Sequence, residues 1–180
     1  ATDPDTGETF TYSISGTDKD SFELSGTTLK LKDTVSADFE AGASYSITLT
    51  ATDSAANTVS KDYTISVTDV NETPSITSAS MSTLSENTSA VITLTGTDPD
   101  SDTLAYSISG GDDASLFTIN STSGALSFST APDYETPSDS DKNNTYSIQV
   151  TATDPDGLTN NQNVSVAVTD VNETISGKLI

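Results

Sequence analysis

The sequence predicts an all-β protein built from two tandem Greek-key β-sandwich modules, the first lacking its N-terminal strands. Three observations predict it. The chain repeats itself with a period of about 100 residues, the size of one sandwich module. Apolar and polar residues alternate with period two in stretches rich in Thr, Val, Ile and Tyr. Clusters of Gly, Asp, Asn and Ser, such as "SGTDKD", "NSTSG" and "DPDG", separate those stretches at sandwich-like spacing.

The repeat is explicit in matched segments. "TDPD" at 2–5 recurs at 97–100, and "YSISG" at 12–16 recurs at 106–110. "DFE" at 38–40 becomes "DYE" at 133–135, and "VTDVNET" at 67–73 recurs at 168–174. Glu40 and Glu135 stand 95 residues apart, whereas Asp53 and Asp154 stand 101 apart. The second copy therefore carries six extra residues between "DYE" and Tyr146. Ala1 aligns with Gly96, so the first copy has no counterpart of residues 75–95. The open sheet edge this leaves is expected to invite strand pairing with another chain, as a dimer. The expected organisation is a first module at 1–73, a complete module at 74–174, and a linker or the start of another module at 175–180.

Each strand follows from its pattern. Tyr45, Ile47, Leu49 and Ala51 alternate with Ser46, Thr48 and Thr50, and Tyr146, Ile148, Val150 and Ala152 repeat the arrangement. Val59, Tyr63, Ile65 and Val67 share one parity, as do Val164, Val166 and Val168. The first strands of the second copy fall around Ile76 and from Val91 to Thr95. No helical period exceeds one turn.

Composition excludes several functions. The chain has 27 acidic residues against 6 lysines and no arginine, a formal charge of -21. Such a surface repels nucleic acid and anionic lipid and attracts cations. The absence of Cys rules out disulfides, zinc–thiolate sites and thiol nucleophiles. With no His, the usual general base and the commonest transition-metal ligand are missing. No apolar run approaches the roughly 20 residues that span a bilayer.

The acidic residues gather in "SEN", "DPD", "DYE", "TATD" and "TDVNE", all at strand ends or in the linker. Asp at alternate turn positions can point several oxygens inward, and clustered carboxylates repel one another unless a cation neutralises them. Calcium suits such a set, because it takes six to eight oxygen ligands in flexible geometry.

The ordered set of motifs resembles the cadherin repeat, an Ig-like sandwich, in the form found in large bacterial surface adhesins. The resemblance implies a calcium site between the copies. Its ligands would be Asp38 and Glu40 of "DFE", the linker Asp69, the Val70 carbonyl, Asn71 and Glu72, with Asp98, Asp100 and Asp154 of the second copy. A second set, Glu86, Asp133, Glu135, Asp170, Asn172 and Glu173, would share calcium with a following module. A third, Asp3, Asp5 and Asp53, would share it with a preceding one. Glu72 and Glu173 stand where many cadherins have Asp, and Ile175 where they have Pro.

Two acidic stretches lie outside these sets. "DSDKN" places Asp139, Asp141 and Asn143 like the opening of an EF-type loop, without the Gly and closing Glu of that loop; it reads either as an acidic loop or as a separate metal site. "DPDSD" either places Asp102 beside Asp98 and Asp100 or, more simply, is a solvated turn.

The resemblance implies an extracellular, cell-surface role in adhesion, with calcium stiffening the joints between neighbouring modules of one chain. A polysaccharide-binding module is the alternative, against which stand the lack of Trp and the inward parity of Phe10, Tyr12, Tyr45, Tyr63, Tyr106 and Tyr146. Paired carboxylates could also do glycosidase work, but their place at module ends favours metal over catalysis.

Overall fold

Strands form where the alternation predicts them. The computed structural model describes residues 1, 2, 4, 7 and 9–174, and the chain divides into two units, Ala1–Val70 and Asn71–Ile180. In the first unit β1 (Thr11–Ser15), β4 (Ser44–Thr52) and β5 (Thr58–Ser66) make an antiparallel sheet in the order β1-β4-β5. A hairpin of β2 (Phe22–Ser25) and β3 (Thr28–Leu31) forms a separate two-stranded sheet in that unit.

The second unit begins with β6 (Ser75–Ile76), β7 (Met81–Ser85), β8 (Ala90–Thr93) and β9 (Gly96–Thr97). It continues with β10 (Ala105–Gly110), β11 (Phe117–Ile119), β12 (Ala125–Phe128), β13 (Thr145–Thr153) and β14 (Thr159–Thr169). One sheet runs β10-β13-β14-β7, with β7 parallel to β14; the other runs β11-β12-β8, and β6 pairs with β9. Strands β1 to β5 are thus the counterparts of β10 to β14, and the described residues of the first unit hold no counterpart of β6 to β9.

Inward residues of the two sheets of the second unit build one core. Leu94, Leu126, Tyr146, Ile148, Val150, Val164, Val166 and Val168 are all buried. Phe117, Phe128 and Tyr146 form an aromatic cluster, with Phe128 edge-on to Tyr146 at 4.9 Å between ring centroids. Phe22 and Tyr45 of the first unit repeat the edge-on contact of Phe117 with Tyr146, at 5.4 Å against 6.1 Å. Parity alone misleads on β5, where Val59 is 62% and Tyr63 41% exposed although Val164, Val166 and Val168 of β14 are buried. In the second unit β7 and β8 extend the two sheets, and nothing in the described residues of the first unit does the same for β5.

A repeated turn fixes the start of both long strands. Gly16 and Gly111, each at φ +104, sit in the left-handed region that favours glycine, just before the one-turn helices Lys19–Ser21 and Ala114–Leu116. The turns bring Asp18 and Asp113 against the following long strands. Asp18 accepts a hydrogen bond from the Ser46 N–H at 2.6 Å, and Asp113 one from the Ser147 N–H at 2.8 Å.

Candidate metal centres

Strand register places the acidic motifs of the second unit at two opposite poles. Thr153 at the end of β13 pairs with Thr159 of β14 and with Ala105 of β10. Asp154, just past β13, therefore lies at the same pole as Asp98, Asp100 and Asp102, which precede β10. At the other end Thr169 of β14 pairs with Ser85 of β7, so Asp170 and Glu86 emerge together. Nine residues of β13 separate the poles, about 30 Å at the usual strand rise.

At the pole past Ser85, Glu86, Glu135, Asp170 and Glu173 each offer one carboxylate oxygen, all within 4.8 Å of one another. Glu86 is only 3% exposed and the other three are exposed. Its two oxygens accept hydrogen bonds from the Tyr134 and Val171 N–H groups, both at 2.8 Å. Those N–H groups hold the Glu86 carboxyl below its ordinary range. Glu135 moves the opposite way. Its own N–H pulls its carboxyl down, but burial and the charges of Glu86, Glu173 and Asp170 outweigh that and push it up. Asn87 donates to Glu173 at 3.4 Å. Asp133 instead caps its own turn, accepting from the Thr136 N–H at 3.0 Å; it lies outside the group of four, and Asn172 is exposed between Asp170 and Glu173.

The opposite pole is tied together by its own hydrogen bonds. Asn71 donates to Asp154 at 2.9 Å, and the Glu72 N–H donates to Asp100 at 3.0 Å. Asp98 accepts from the Asp100 N–H through Oδ1, while its Oδ2 is enclosed and receives no hydrogen bond from a described donor. Burial would raise the Asp154 carboxyl, but the Asn71 amide and the N–H groups of Leu158 and Gly157 hold it below its ordinary range. Asp102 is pushed up by partial burial and then by Asp98, Asp100, Asp156 and Asp154. Half-buried, it stands with Asp98, Asp100, Asp154 and Asp156 in a five-aspartate pole, the first of the two readings of "DPDSD". Asp156 is the member that the sequence reading left out, although "DPD" at 154–156 repeats the pattern at 98–100.

In the first unit, Asp53 at the end of β4 accepts from Asn57 and from the Ala55 N–H. The Asn57 amide leads in holding the Asp53 carboxyl low. Asp38 accepts from the Ala41 N–H at 2.9 Å. Glu40, Asp69 and Val70 are exposed. Asp3 and Asp5 lie outside the described residues.

Both poles offer oxygen alone, with neither nitrogen nor sulfur in the donor set, which is the chemistry of a hard cation. The fold and its poles define a β-sandwich repeat with carboxylate clusters at its ends. The cadherin domain family model matches residues 78–172, and the chain belongs to that family, a non-enzymatic class of adhesion-type extracellular repeats. Comparison with curated proteins finds no match. Among solved structures, the chain is similar to a protocadherin gammaB7 EC3-6 cis-dimer structure at 24% identity and TM-score 0.63. That match covers 89% of this chain and 42% of the other, so the chain spans about two-fifths of its length. It is similar also to human protocadherin-24 EC1-2 (22% identity, TM-score 0.66, 91% of this chain and 83% of that one). Mouse cadherin-23 EC22-24 gives 23% identity and TM-score 0.65, over 90% of this chain and 53% of that one. These likenesses establish the fold. Among the described residues no helix is long and apolar enough to cross a membrane.

Proposed function

We propose that the chain is a calcium-binding cadherin repeat region of an extracellular adhesin, in which calcium at the module ends stiffens a string of modules. The observation that supports this best is the group Glu86, Glu135, Asp170 and Glu173, four carboxylates within 4.8 Å. Four negative charges at that spacing repel one another, and the Glu135 carboxyl is pushed up by desolvation and then by its three acidic neighbours. A divalent cation reverses the sign of the interaction. Backbone carbonyls, water and a neighbouring module would complete the six to eight oxygens that calcium takes.

The same reading gives Asn71, Glu72, Asp98, Asp100 and Asp154 to the opposite pole, where the enclosed Asp98 Oδ2 is an acceptor suited to a cation. In the first module it assigns Asp38, Glu40, Asp69 and the Val70 carbonyl, with Asp53 at the far end of β4. Module limits at 1–73 and 74–174 follow from the repeat. The run of "DYE", "TATD" and "TDVNE" supports placing the chain among bacterial surface adhesins. Calorimetric titration with calcium tests the proposal. Binding with dissociation constants of about 10⁻⁴–10⁻³ M is expected, as in other extracellular modules, weakened in Glu135→Gln. No heat of binding in the wild type up to a concentration well above that range would refute it.

A further inference from the structure

The six extra residues of the second copy bring a buried carboxylate that neither pole uses. Asp139 is only 1% exposed. Its Oδ2 accepts from the Asn143 N–H at 2.7 Å, but its Oδ1 is closed off from solvent and receives no hydrogen bond from a described donor. On the same loop Asn144 spends its amide N–H on the Tyr134 carbonyl at 3.0 Å, and its Oδ1 is likewise enclosed without a donor. Both atoms can only accept.

The surroundings do not neutralise Asp139. Asp113, 4% exposed, is a second buried carboxylate, tied to the loop by accepting from the N–H of Ser140, next to Asp139, and to β13 by accepting from that of Ser147, both at 2.8 Å. Lys142, the lysine of the loop, donates to the Pro137 carbonyl at 2.7 Å. The ion pairs of the described residues involve Lys19 and Lys30, neither of them near this loop in sequence. An enclosed carboxylate oxygen with neither donor nor counter-charge is costly. One cation bound to it removes that cost.

We propose that the loop at 137–144 holds a hard cation of the calcium class, taken through Asp139 Oδ1 and Asn144 Oδ1, apart from the polar sites. The donors are oxygens only, as calcium prefers. Asp141 stands at the exposed side, its carboxylate accepting from the Asn143 amide at 2.6 Å. The site belongs to the second unit alone. In the first, Asp18 repeats the clamp of Asp113 on the long strand, but no buried aspartate stands in the shorter β3–β4 connection. The bound ion would pin the loop over the Tyr146 end of the core, where the Tyr146 hydroxyl meets Ser138 at 3.4 Å.

Two measurements on the full chain test this. Crystals soaked in saturating calcium are expected to give an anomalous peak about 2.3–2.6 Å from Asp139 Oδ1; a water, or no density there, overturns the proposal. Ion counting by native mass spectrometry is expected to find one ion fewer on Asp139→Asn than on wild type. Glu135→Gln should keep the loop ion while losing affinity at its pole, so the two sites fail separately. Equal counts on folded Asp139→Asn and wild type also overturn it. If Asp139→Asn does not fold, the wild-type crystal decides alone.

Discussion

The Glu86 carboxylate accepts a hydrogen bond from the Val171 N–H at 2.8 Å, across 85 residues of sequence. This bond closes the pole where β7 and β14 end side by side, and a second from Tyr134 fixes the other oxygen. Within one group of four carboxylates two backbone N–H groups hold Glu86 low, while at Glu135 its own N–H is outweighed by desolvation and its neighbours' charges. Glu86 is the structural anchor of the pole, and Glu135 the member with most to gain from a cation.

Glu86→Gln should therefore destabilise with or without calcium. A glutamine oxygen can accept one of the two N–H groups, but its NH₂ faces the other. The midpoint in chelator should fall by about 5 °C for a domain of this size, measured by scanning calorimetry. An unchanged midpoint would show that the two N–H bonds do not anchor the pole.

Glu135→Gln should do the reverse in chelator. Removing one of four clustered charges relieves repulsion, so the midpoint should rise slightly, while the gain on adding calcium shrinks. A lower midpoint in chelator would contradict the assigned repulsion.

The pH dependence follows with opposite signs. The lowered carboxyl of Glu86 contributes stability above its unfolded value and loses it as pH falls through the folded one. The deficit of Glu86→Gln should therefore close in acid. The raised carboxyls of Glu135 and Asp102 bind protons more firmly when folded, so their ionisation costs stability as pH rises through the mildly acidic range. Calcium binding there should release protons, detectable as heats that vary with the ionisation enthalpy of the buffer. Identical heats in all buffers would count against it.

Gly111→Ala tests the repeated turn. An added Cβ at φ +104 would lie 2.4 Å from the Ile148 Cα, against 3.0 Å between Gly16 and the Ile47 Cα. Gly111→Ala should cost more than about 1 kcal/mol, and Gly16→Ala less than Gly111→Ala, by denaturant unfolding. The opposite order would show that the tight approach at Ile148 is not what demands glycine.

Much of this was legible in the sequence, because period two sets the faces and matched motifs set the register. "SEN" and "TDVNE" sit at the ends of β7 and β14, "DYE" in the β12–β13 connection, and the structure brings Glu86, Glu135, Asp170 and Glu173 together at one pole. What escaped depends on burial that no local pattern carries. Asp112 and Asp113 are adjacent and chemically identical, yet only Asp113 is buried against Ser147. Asp139 reads from "DSDKN" as part of an acidic loop or of a separate metal site, and its near-complete burial is not visible in that pattern. Tyr63 kept the expected parity but is 41% exposed where its β14 counterpart Val164 is buried, because the described residues of the first unit hold no equivalent of the strands beside β14.

The central claim, calcium at the module poles, is met most directly by thermal melting of the wild-type chain in chelator and in calcium at about 1 mM and above. Calcium should raise the midpoint progressively with concentration, as a ligand that binds only the folded state must, and Glu135→Gln should show a smaller rise. Coincident wild-type melting curves in calcium and in chelator would contradict the claim.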